Sequence, residues 1–351
     1  MPGDGVGPEI TAATVKVLES ASRRFELGLE FEEHSVGQRS LASRGTTFAP
    51  EVLEACRAVE CMVLGPVSHA DYPPRAQGGI NPSGELRIVL DLYANMRPSR
   101  SRAGLAHWGR TPMDLVIVRE NTEGFYADRN MHLGIGEFMP DPDMALSMRK
   151  ITAKASRRIA QSAFELARKR RRKVTAVHKA NVLKTTDGLF LREVRSVAAL
   201  FPDVAYDEQL VDSMAAMLVR DAARYDVVVT TNMFGDILSD EAAELSGSLG
   251  LAGSVNAGAA HCMAQAQHGS APDIAGQDRA NPVSLILSAA MLLEWLAIRH
   301  GEESFAQAHR AIDSAVDTLL ADPARRTRDL GGALGTRSFT DALCREIGDS
   351  R

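Results

Sequence analysis

The feature that most limits the folds open to this chain is a set of short apolar runs, each stopping abruptly at polar residues. Leu115-Val116-Ile117-Val118 ends at Arg119-Glu120, Val174 to Val177 ends at His178-Lys179, and Val227-Val228-Val229 ends at Thr230-Thr231-Asn232. Such runs read as strands buried on both faces. Val59 to Leu64, stopped by Gly65-Pro66, reads the same way. Helical spacing lies between the strands. It covers Ile10 to Arg23, with Val15, Leu18 and Ala21 on one face, then Leu86 to Tyr93, and a long amphipathic stretch over 144–169. Ala94 to Met96 leads into Arg97-Pro98. Strands alternating with helices imply an α/β fold. In such folds the working residues collect just past the strand ends, where the polar residues stand here.

At 351 residues the chain is long for a single core, so one large domain or two coupled domains are expected. No repeat or low-complexity tether divides it, which favours interleaved domains. A net charge of −5 gives no electrostatic footprint for nucleic acid. The basic run Arg168 to Lys173 follows a helical pattern and reads as a solvated helix end. Cys56, Cys61, Cys262 and Cys344 form no CxxC pair, as expected for reduced thiols in a cytoplasmic protein. No signal peptide opens the sequence. The longest apolar stretch, Leu285 to Leu296, contains Ser288 and Glu294 and is too short to span a bilayer, so it reads as a buried helix with no membrane partner.

Several constellations can carry chemistry. Asp236 and Asp240 are four apart, which on a helix sets both carboxylates on one face. Their repulsion calls for a positive neighbour. A divalent cation such as Mg²⁺ or Mn²⁺, which prefers oxygen ligands, would serve, with Asp212 as a third donor. A solvated acidic face has the same spacing. Arg87, Arg97 and Arg119 each lie at the edge of an apolar segment, and converging guanidinium forks would suit a dicarboxylate. Ordinary surface arginines would look no different. Tyr126 and Lys179 are acid–base candidates, since burial or nearby cations bring a lysine into working range, and each also has an ordinary structural reading. Lys179 and Asn181 would share a side if the strand continued past them. The loop His268 to Gly276, followed by Asn281-Pro282, lets a ligand approach the backbone. Neither it nor Gly3-Asp4-Gly5-Val6-Gly7 matches GxGxxG.

Taken in order, these segments resemble the β-hydroxyacid oxidative decarboxylases: the isocitrate, 3-isopropylmalate, homoisocitrate and tartrate/D-malate dehydrogenases. PGDGVGPEI, LDLYANMRP, VIVRENTEGFY, HKANVLK, VDSMAAMLV, NMFGDILSDEAAELSGSLG and HGSAPDIAG followed by ANP carry the resemblance across nearly the whole chain. It implies an α/β fold with a mixed sheet, distinct from the Rossmann fold, in two interleaved domains. Residues 1–92 with 247–351 would form the large cofactor-binding domain, and 93–246 the small domain with the dimer interface and metal ligands. By resemblance, Arg87, Arg97 and Arg119 hold the malate carboxylates and Tyr126 protonates the enol after carbon dioxide leaves. Lys179, with the metal, removes the hydroxyl proton, and Asp212, Asp236 and Asp240 ligate Mg²⁺ or Mn²⁺. In this family the lysine and the aspartate at 212 come from the neighbouring subunit, which implies a homodimer with shared sites, or a pair of such dimers.

The cofactor residues implied are His268, Gly269, Ser270, Ala271, Asp273, Ile274 and Asn281. Asp273 resembles the NAD-preferring members: an acid there accepts hydrogen bonds from the adenosine ribose and repels a 2′-phosphate. NADP-dependent isocitrate enzymes carry lysine-tyrosine where this chain has Asp273-Ile274. The reaction implied is NAD-dependent oxidative decarboxylation of a 3-substituted malate to a 2-oxo acid. The metal would lower the pKa of the C2 hydroxyl and stabilise the enolate, hydride would leave C2 for nicotinamide, and Tyr126 would return a proton to C3.

The departures bear on the substrate. Isopropylmalate enzymes place two leucines ahead of Arg87, where this chain has Ser83-Gly84. Isocitrate enzymes place a serine and an asparagine at the positions of Asn81 and Ser83, the same pair in swapped order. Hydrogen-bonding groups there suit a polar substituent: isocitrate-like, homoisocitrate-like, or a phosphonate or sulfonate analogue. 3-Isopropylmalate and tartrate/D-malate remain alternatives. So does a non-catalytic regulatory subunit, although such paralogues typically lose catalytic or metal residues that are all present here. Gln265 stands where several relatives carry an acid. Met1 falls where relatives already have an apolar strand of about five or six residues. Either the start site is misplaced or the sheet lacks that strand, which would deprive the Gly3–Gly7 loop of its anchor.

Overall fold

The apolar runs pair into one mixed sheet, seen in a computed structural model that describes residues 1–126 and 136–349. The strands are β1 (Cys61–Leu64), β2 (Ala94–Arg100), β3 (Asp114–Glu120), β4 (Glu137–Asp141), β5 (Met144–Ser147), β6 (Lys173–His178), β7 (Ala205–Leu210), β8 (Val227–Thr230), β9 (Val255–Ala257) and β10 (Cys262–Gln265). Eight of them form a sheet in the order β1-β10-β9-β2-β3-β8-β6-β7, and β4 and β5 form a separate ribbon. β3, β8, β6 and β7 run parallel, whereas β10, β9, β2 and β3 pair antiparallel in turn. The parallel register sets Arg119 beside Thr230 and Thr230 beside Val177, so these strand ends share one rim. That is where the sequence concentrates its polar residues.

The helices are α1 (Gly7–Phe25), α2 (Gln38–Arg44), α3 (Pro50–Ala58), α4 (Pro82–Val89), α5 (Ala153–Arg168), α6 (Thr186–Ala198), α7 (Val211–Asp221), α8 (Asn232–Ser246), α9 (Val283–His300), α10 (Glu303–Ala321) and α11 (Thr336–Asp349). One apolar cluster joins α1, α9, α10 and α11 to β9 and β10. Another packs α5 and α6 on one face of β3, β6 and β8, and a third packs α7 and α8 on the other. α9 is long and apolar enough to cross a membrane by composition alone. Its Leu285, Ile286, Ala289, Ala290 and Leu293 are instead buried in the protein core.

Several boundaries differ from the sequence reading. The stretch 144–169 is not one helix. Met144–Ser147 pairs with Glu137–Asp141, and α5 begins only after Thr152, whose hydroxyl accepts from the Ala155 amide at 3.2 Å. Glu123 accepts from both the amide and the hydroxyl of Thr152, which fixes that start. The helix read over Leu86 to Tyr93 lies earlier, over Pro82–Val89. Asn81 caps it and Pro82 occupies the first turn, the usual helix-opening pair. β7, β9 and β10 were not anticipated. The first is a polar strand at the sheet edge, and the other two are only three and four residues long.

The basic run opens at the last residue of α5, and Arg168, Lys169, Arg171 and Arg172 are exposed, as a solvated helix end would be; Arg168 also pairs with Asp203, and Arg170 with Asp114 and Asp226. The Gly3–Gly7 loop is anchored. Met1 bridges to β1 through Val63 O and the Gly65 amide, the Asp4 amide donates to Pro66 O, and the Val6 amide donates to Ser270 O.

Candidate active site

β2 and β3 are antiparallel neighbours, and each delivers one arginine to the same place. Arg97 and Arg119 are both buried. Arg97 is held by Asn95, to whose Oδ1 it donates at 2.6 Å, and by Ser239 at 2.8 Å. Arg119 makes two bonds to Asn232 Oδ1, at 2.9 and 2.6 Å. A guanidinium fixed this way keeps its remaining N–H groups aimed at one spot, with little rotamer entropy left to lose on binding.

α8 supplies the acids. As the four-residue spacing requires, Asp236 and Asp240 share a face, and each places Oδ1 3.2 Å from Arg97 Nη1. Arg119 also pairs with Asp236. The positive neighbour demanded by the two carboxylates is thus at least partly arginine. Burial pushes the Asp236 carboxyl up, but Arg119, Arg97 and Arg87 outweigh it and hold it below the usual carboxylate range. Asp236 therefore stays ionised, and two carboxylates on one helix face offer hard oxygen donors that fit a divalent cation. Tyr126 completes the group, its hydroxyl donating to Asp236 Oδ2 at 3.3 Å and its ring 5.9 Å from the Arg119 guanidinium carbon.

Arg97, Arg119, Asp236 and Tyr126 line a cavity of about 290 Å³, together with Asn81, Ser83, Arg87, Gln265, Gln267 and His268. Ser83 Oγ and Arg87 Nη2 both donate to Gln265 Oε1, at 2.8 and 3.1 Å. Asn81 Oδ1 accepts from the Gly84 amide at 3.3 Å, so one of its polar atoms is engaged in capping α4. Gln267 Nε2 donates to Asp240 Oδ1 at 2.9 Å.

The loop after β10 forms the cavity's rim. Burial lowers the His268 pKa and keeps the imidazole neutral. Its Nδ1 lies 2.9 Å from Gly269 O, and its buried Nε2 has no hydrogen-bond partner. An orphan ring nitrogen facing a cavity is a place for a polar ligand. Ser270 Oγ bonds Ser68 Oγ at 2.7 Å, and a Cβ on Gly5 would stand 2.0 Å from Ser270 O. Ala271 takes the left-handed conformation just before the turn Pro272–Ile274, which carries exposed Asp273. Asn281 caps the entry to α9: its Oδ1 accepts from the Val283 amide at 3.0 Å and its Nδ2 donates to Asp329.

The remaining candidates stand apart. Lys179 Nζ donates to Asp212 Oδ1 at 2.6 Å, and the bond holds the Asp212 carboxyl below its usual range. Neither residue lines the cavity, nor does exposed Asn181. β6 stops at His178, and Lys179 opens a turn closed by the Val182 amide, so Lys179 and Asn181 do not lie along a common strand. Among the described residues no three His, Cys, Asp or Glu side chains gather closely enough to hold one ion. Within one chain, Asp212 is not brought to Asp236 and Asp240.

Sequence reasoning missed Asn232, Ser239, Asn95 and Asp4. Asn232 ends a strand run and was available to it. Asp4, which ties the opening loop to the Gln38 and Ser68 amides, sits in a glycine loop with no partner visible in sequence.

A profile of the isocitrate/isopropylmalate dehydrogenase family matches residues 1–347. The chain is 43% identical over 343 residues to an isocitrate/homoisocitrate dehydrogenase of Thermus thermophilus, covering 97% of this chain and 95% of that one. It is 38% identical over 348 residues to a 3-isopropylmalate dehydrogenase of Sulfurisphaera tokodaii, covering 98% and 96%. Its fold is similar to the crystal structure of isocitrate dehydrogenase from Methylococcus capsulatus, with a TM-score of 0.85 at 39% identity, covering 99% of this chain and 97% of that one.

Proposed function

The chain belongs to the isocitrate/isopropylmalate dehydrogenase family, and from that premise we propose that it is an NAD- and divalent-metal-dependent enzyme that oxidatively decarboxylates a 3-substituted malate. The observation that carries the reading is the meeting of Arg87, Arg97 and Arg119 with Asp236 and Tyr126 in one cavity, with Asp240 held beside it by Arg97 and Gln267. Three guanidinium groups bind and orient the carboxylates of a 2-hydroxy diacid. Tyr126 Oη, already aimed at the Asp236 carboxylate, holds the proton that C3 needs once carbon dioxide has left. Lys179, working at the site of a second copy, takes the hydroxyl proton. Mg²⁺ or Mn²⁺, when bound, supplies polarisation of the substrate hydroxyl and carboxylate oxygens, with Asp236 and Asp240 of one copy and Asp212 of another as its ligands. NAD, when bound, is the hydride acceptor, with His268 to Ile274 and Asn281 along its course and Asp273 at the ribose.

A homodimer follows from the same reading. The ribbon of β4 and β5 is exposed along its whole length and displays Phe138, Met139, Met144 and Leu146 to solvent. An isolated two-stranded ribbon is marginal in water, and contiguous exposed apolar surface marks an interface. Val182, beside Lys179, and Ile237, beside Asp236, are exposed as well. We place the domains at 1–92 with 247–351 and at 93–246, in line with the division of the apolar clusters, and the protein in the cytoplasm, in line with its four free cysteines.

The substituent on C3 is polar in this reading. Ser83, Gln265 and Arg87 put a hydroxyl, an amide and a guanidinium where an alkyl group would need an apolar wall. The test is NADH absorbance with purified protein, Mn²⁺ and NAD⁺ against isocitrate, homoisocitrate, 3-isopropylmalate, D-malate, tartrate and a phosphonomethyl malate. One polar-substituted acid should dominate. If 3-isopropylmalate gives the highest kcat/KM, the pocket assignment is wrong; if no acid is oxidised, the reaction is.

A further inference from the structure

Lys179 stands where the sheet can no longer hold it, one residue beyond the end of β6. Its backbone is fixed instead by side chains. The Lys179 amide donates to Asp187 Oδ2 at 2.6 Å, and the next amide, of Ala180, donates to His178 Nδ1 at 3.0 Å. Asp187 is fully buried, and its other oxygen pairs with Arg149, itself buried. A buried carboxylate stays where its cation and donors put it, because leaving it uncompensated is costly. The position of Arg149 therefore decides the position of Asp187, and through it the Lys179 backbone.

The same guanidinium reaches other segments. Nη1 also donates to Thr186 Oγ1 at 3.0 Å, and Nη2 donates to Thr231 Oγ1 at 2.9 Å. Thr231 is the residue from which α8 starts, and its carbonyl accepts from the Gly235 amide. The guanidinium carbon lies 5.8 Å from the Phe125 ring, next to Tyr126, and 5.1 Å from the Phe234 ring, on α8. Backbone bonds between Gly124 and Lys150 bring Arg149 to this point. One rigid fork thus touches the segments that carry Tyr126, Lys179 and the acids of α8.

We propose that Arg149 is a positioning residue that locks the Lys179 turn and the start of α8 into a single geometry. The inference rests on the catalytic reading of Lys179, Asp236 and Asp240 given above. If Lys179 works at the site of a second copy while α8 works at its own, Arg149 is also the link that couples the two sites.

The test compares amide hydrogen exchange and steady-state kinetics of the full chain for Arg149→Gln, Arg149→Lys and Thr231→Val. In Arg149→Gln, exchange should rise about tenfold or more over both 179–187 and 232–236, with the core of α9 unchanged. For the best acid of the panel, kcat should fall about thirty- to a hundredfold, the scale of a misplaced catalytic group, with KM moving less than about threefold. Arg149→Lys keeps a cation for Asp187 and should restore protection over 179–187 but not over 232–236. Thr231→Val should loosen 232–236 alone. Unchanged exchange over 179–187 in Arg149→Gln, a uniform rise across the whole protein, or an unchanged kcat would each overturn the proposal. If Arg149→Gln does not fold, the opposite patterns expected of the other two variants decide the matter. If the wild-type protein oxidises no acid, the functional reading falls, and the exchange pattern still judges the role of Arg149.

Discussion

The arginine-lined cavity and the Lys179–Asp212 pair are built on opposite plans. In the cavity, Arg97 and Arg119 are buried and each is held by a neighbouring asparagine, so the charged groups are fixed before any ligand arrives. The Lys179 ammonium is paired with Asp212, which is largely open to solvent. A surface ion pair of this kind contributes little to stability and is easily exchanged for other partners. The difference teaches where each region finds its completion. The cavity has Asp236, Tyr126 and its arginines within one chain. Lys179 and Asp212 lie outside the cavity, and among the described residues no third acid joins them closely enough to hold an ion, which supports the proposal of a site made from two copies.

The sharpest way to break that comparison is to inactivate the regions separately and then mix them. Lys179→Ala and Asp236→Asn should each cut kcat by about a thousandfold or more, as expected on losing an acid–base group or a metal ligand. Co-refolded in equal amounts, the two variants should recover about a quarter of wild-type activity, because half the dimers are mixed and each mixed dimer holds one intact site. Activity that stays at the level of the single variants would mean that Lys179 serves its own chain.

A smaller effect is expected from the ribbon. Met139→Asp with Leu146→Asp alters no cavity residue, yet it should shift the protein toward monomers and lower activity about ten- to a hundredfold at nanomolar enzyme. Light scattering coupled to gel filtration reads the mass directly. A dimer of undiminished stability would move the interface elsewhere.

What sequence could show follows the same division. The strand ends carrying Arg119, His178 and Asn232, and the Asp236/Asp240 spacing, were legible because buried runs and helical periodicity depend on neighbours along the chain. The boundary of α5 was not, because Thr152 is held by Glu123, twenty-nine residues away. Nor was the separation of Asp212 from Asp236, since two acids that suit one metal by type need not meet in one chain. Gln265 was visible as a departure, but its contact with Ser83, 182 residues away in sequence, depends on the pairing of β10 beside β1.

Glu123, which lies outside both regions, and Asp236 of the cavity should respond oppositely to pH. Burial pushes the Glu123 carboxyl up from its ordinary 4.5 to about 7, even though Thr152 donates to it. A folded-state pKa above the unfolded one means that the folded protein binds the extra proton. That stability is fully present below pH 4.5 and is lost as pH rises toward 7. Asp236 behaves oppositely: its depressed pKa gives stability above the ordinary carboxylate range that is lost as acid protonates it. Glu123→Gln should therefore remove part of the fall in melting temperature between about pH 5 and 8, by a few degrees. Parallel melting curves for wild type and variant across that range would sink the assignment.

The smallest expected effect belongs to neither region, and for that reason sharpens the contrast between them. Asp273 is exposed on the turn after Ala271 and is not among the residues that line the cavity. If it accepts hydrogen bonds from a ribose, Asp273→Asn loses a charge-assisted acceptor but keeps a carbonyl, so KM for NAD should rise only about three- to tenfold. Asp273→Lys should lose the same contact and remove the repulsion of a 2′-phosphate, narrowing the preference for NAD over NADP by at least about tenfold. Neither change touches the arginine cavity or the Lys179 turn, so kcat at saturating cofactor and recovery in the mixing experiment should stay as in the wild type. A fall in kcat with KM for NAD unchanged would place Asp273 in the chemistry instead of the cofactor site.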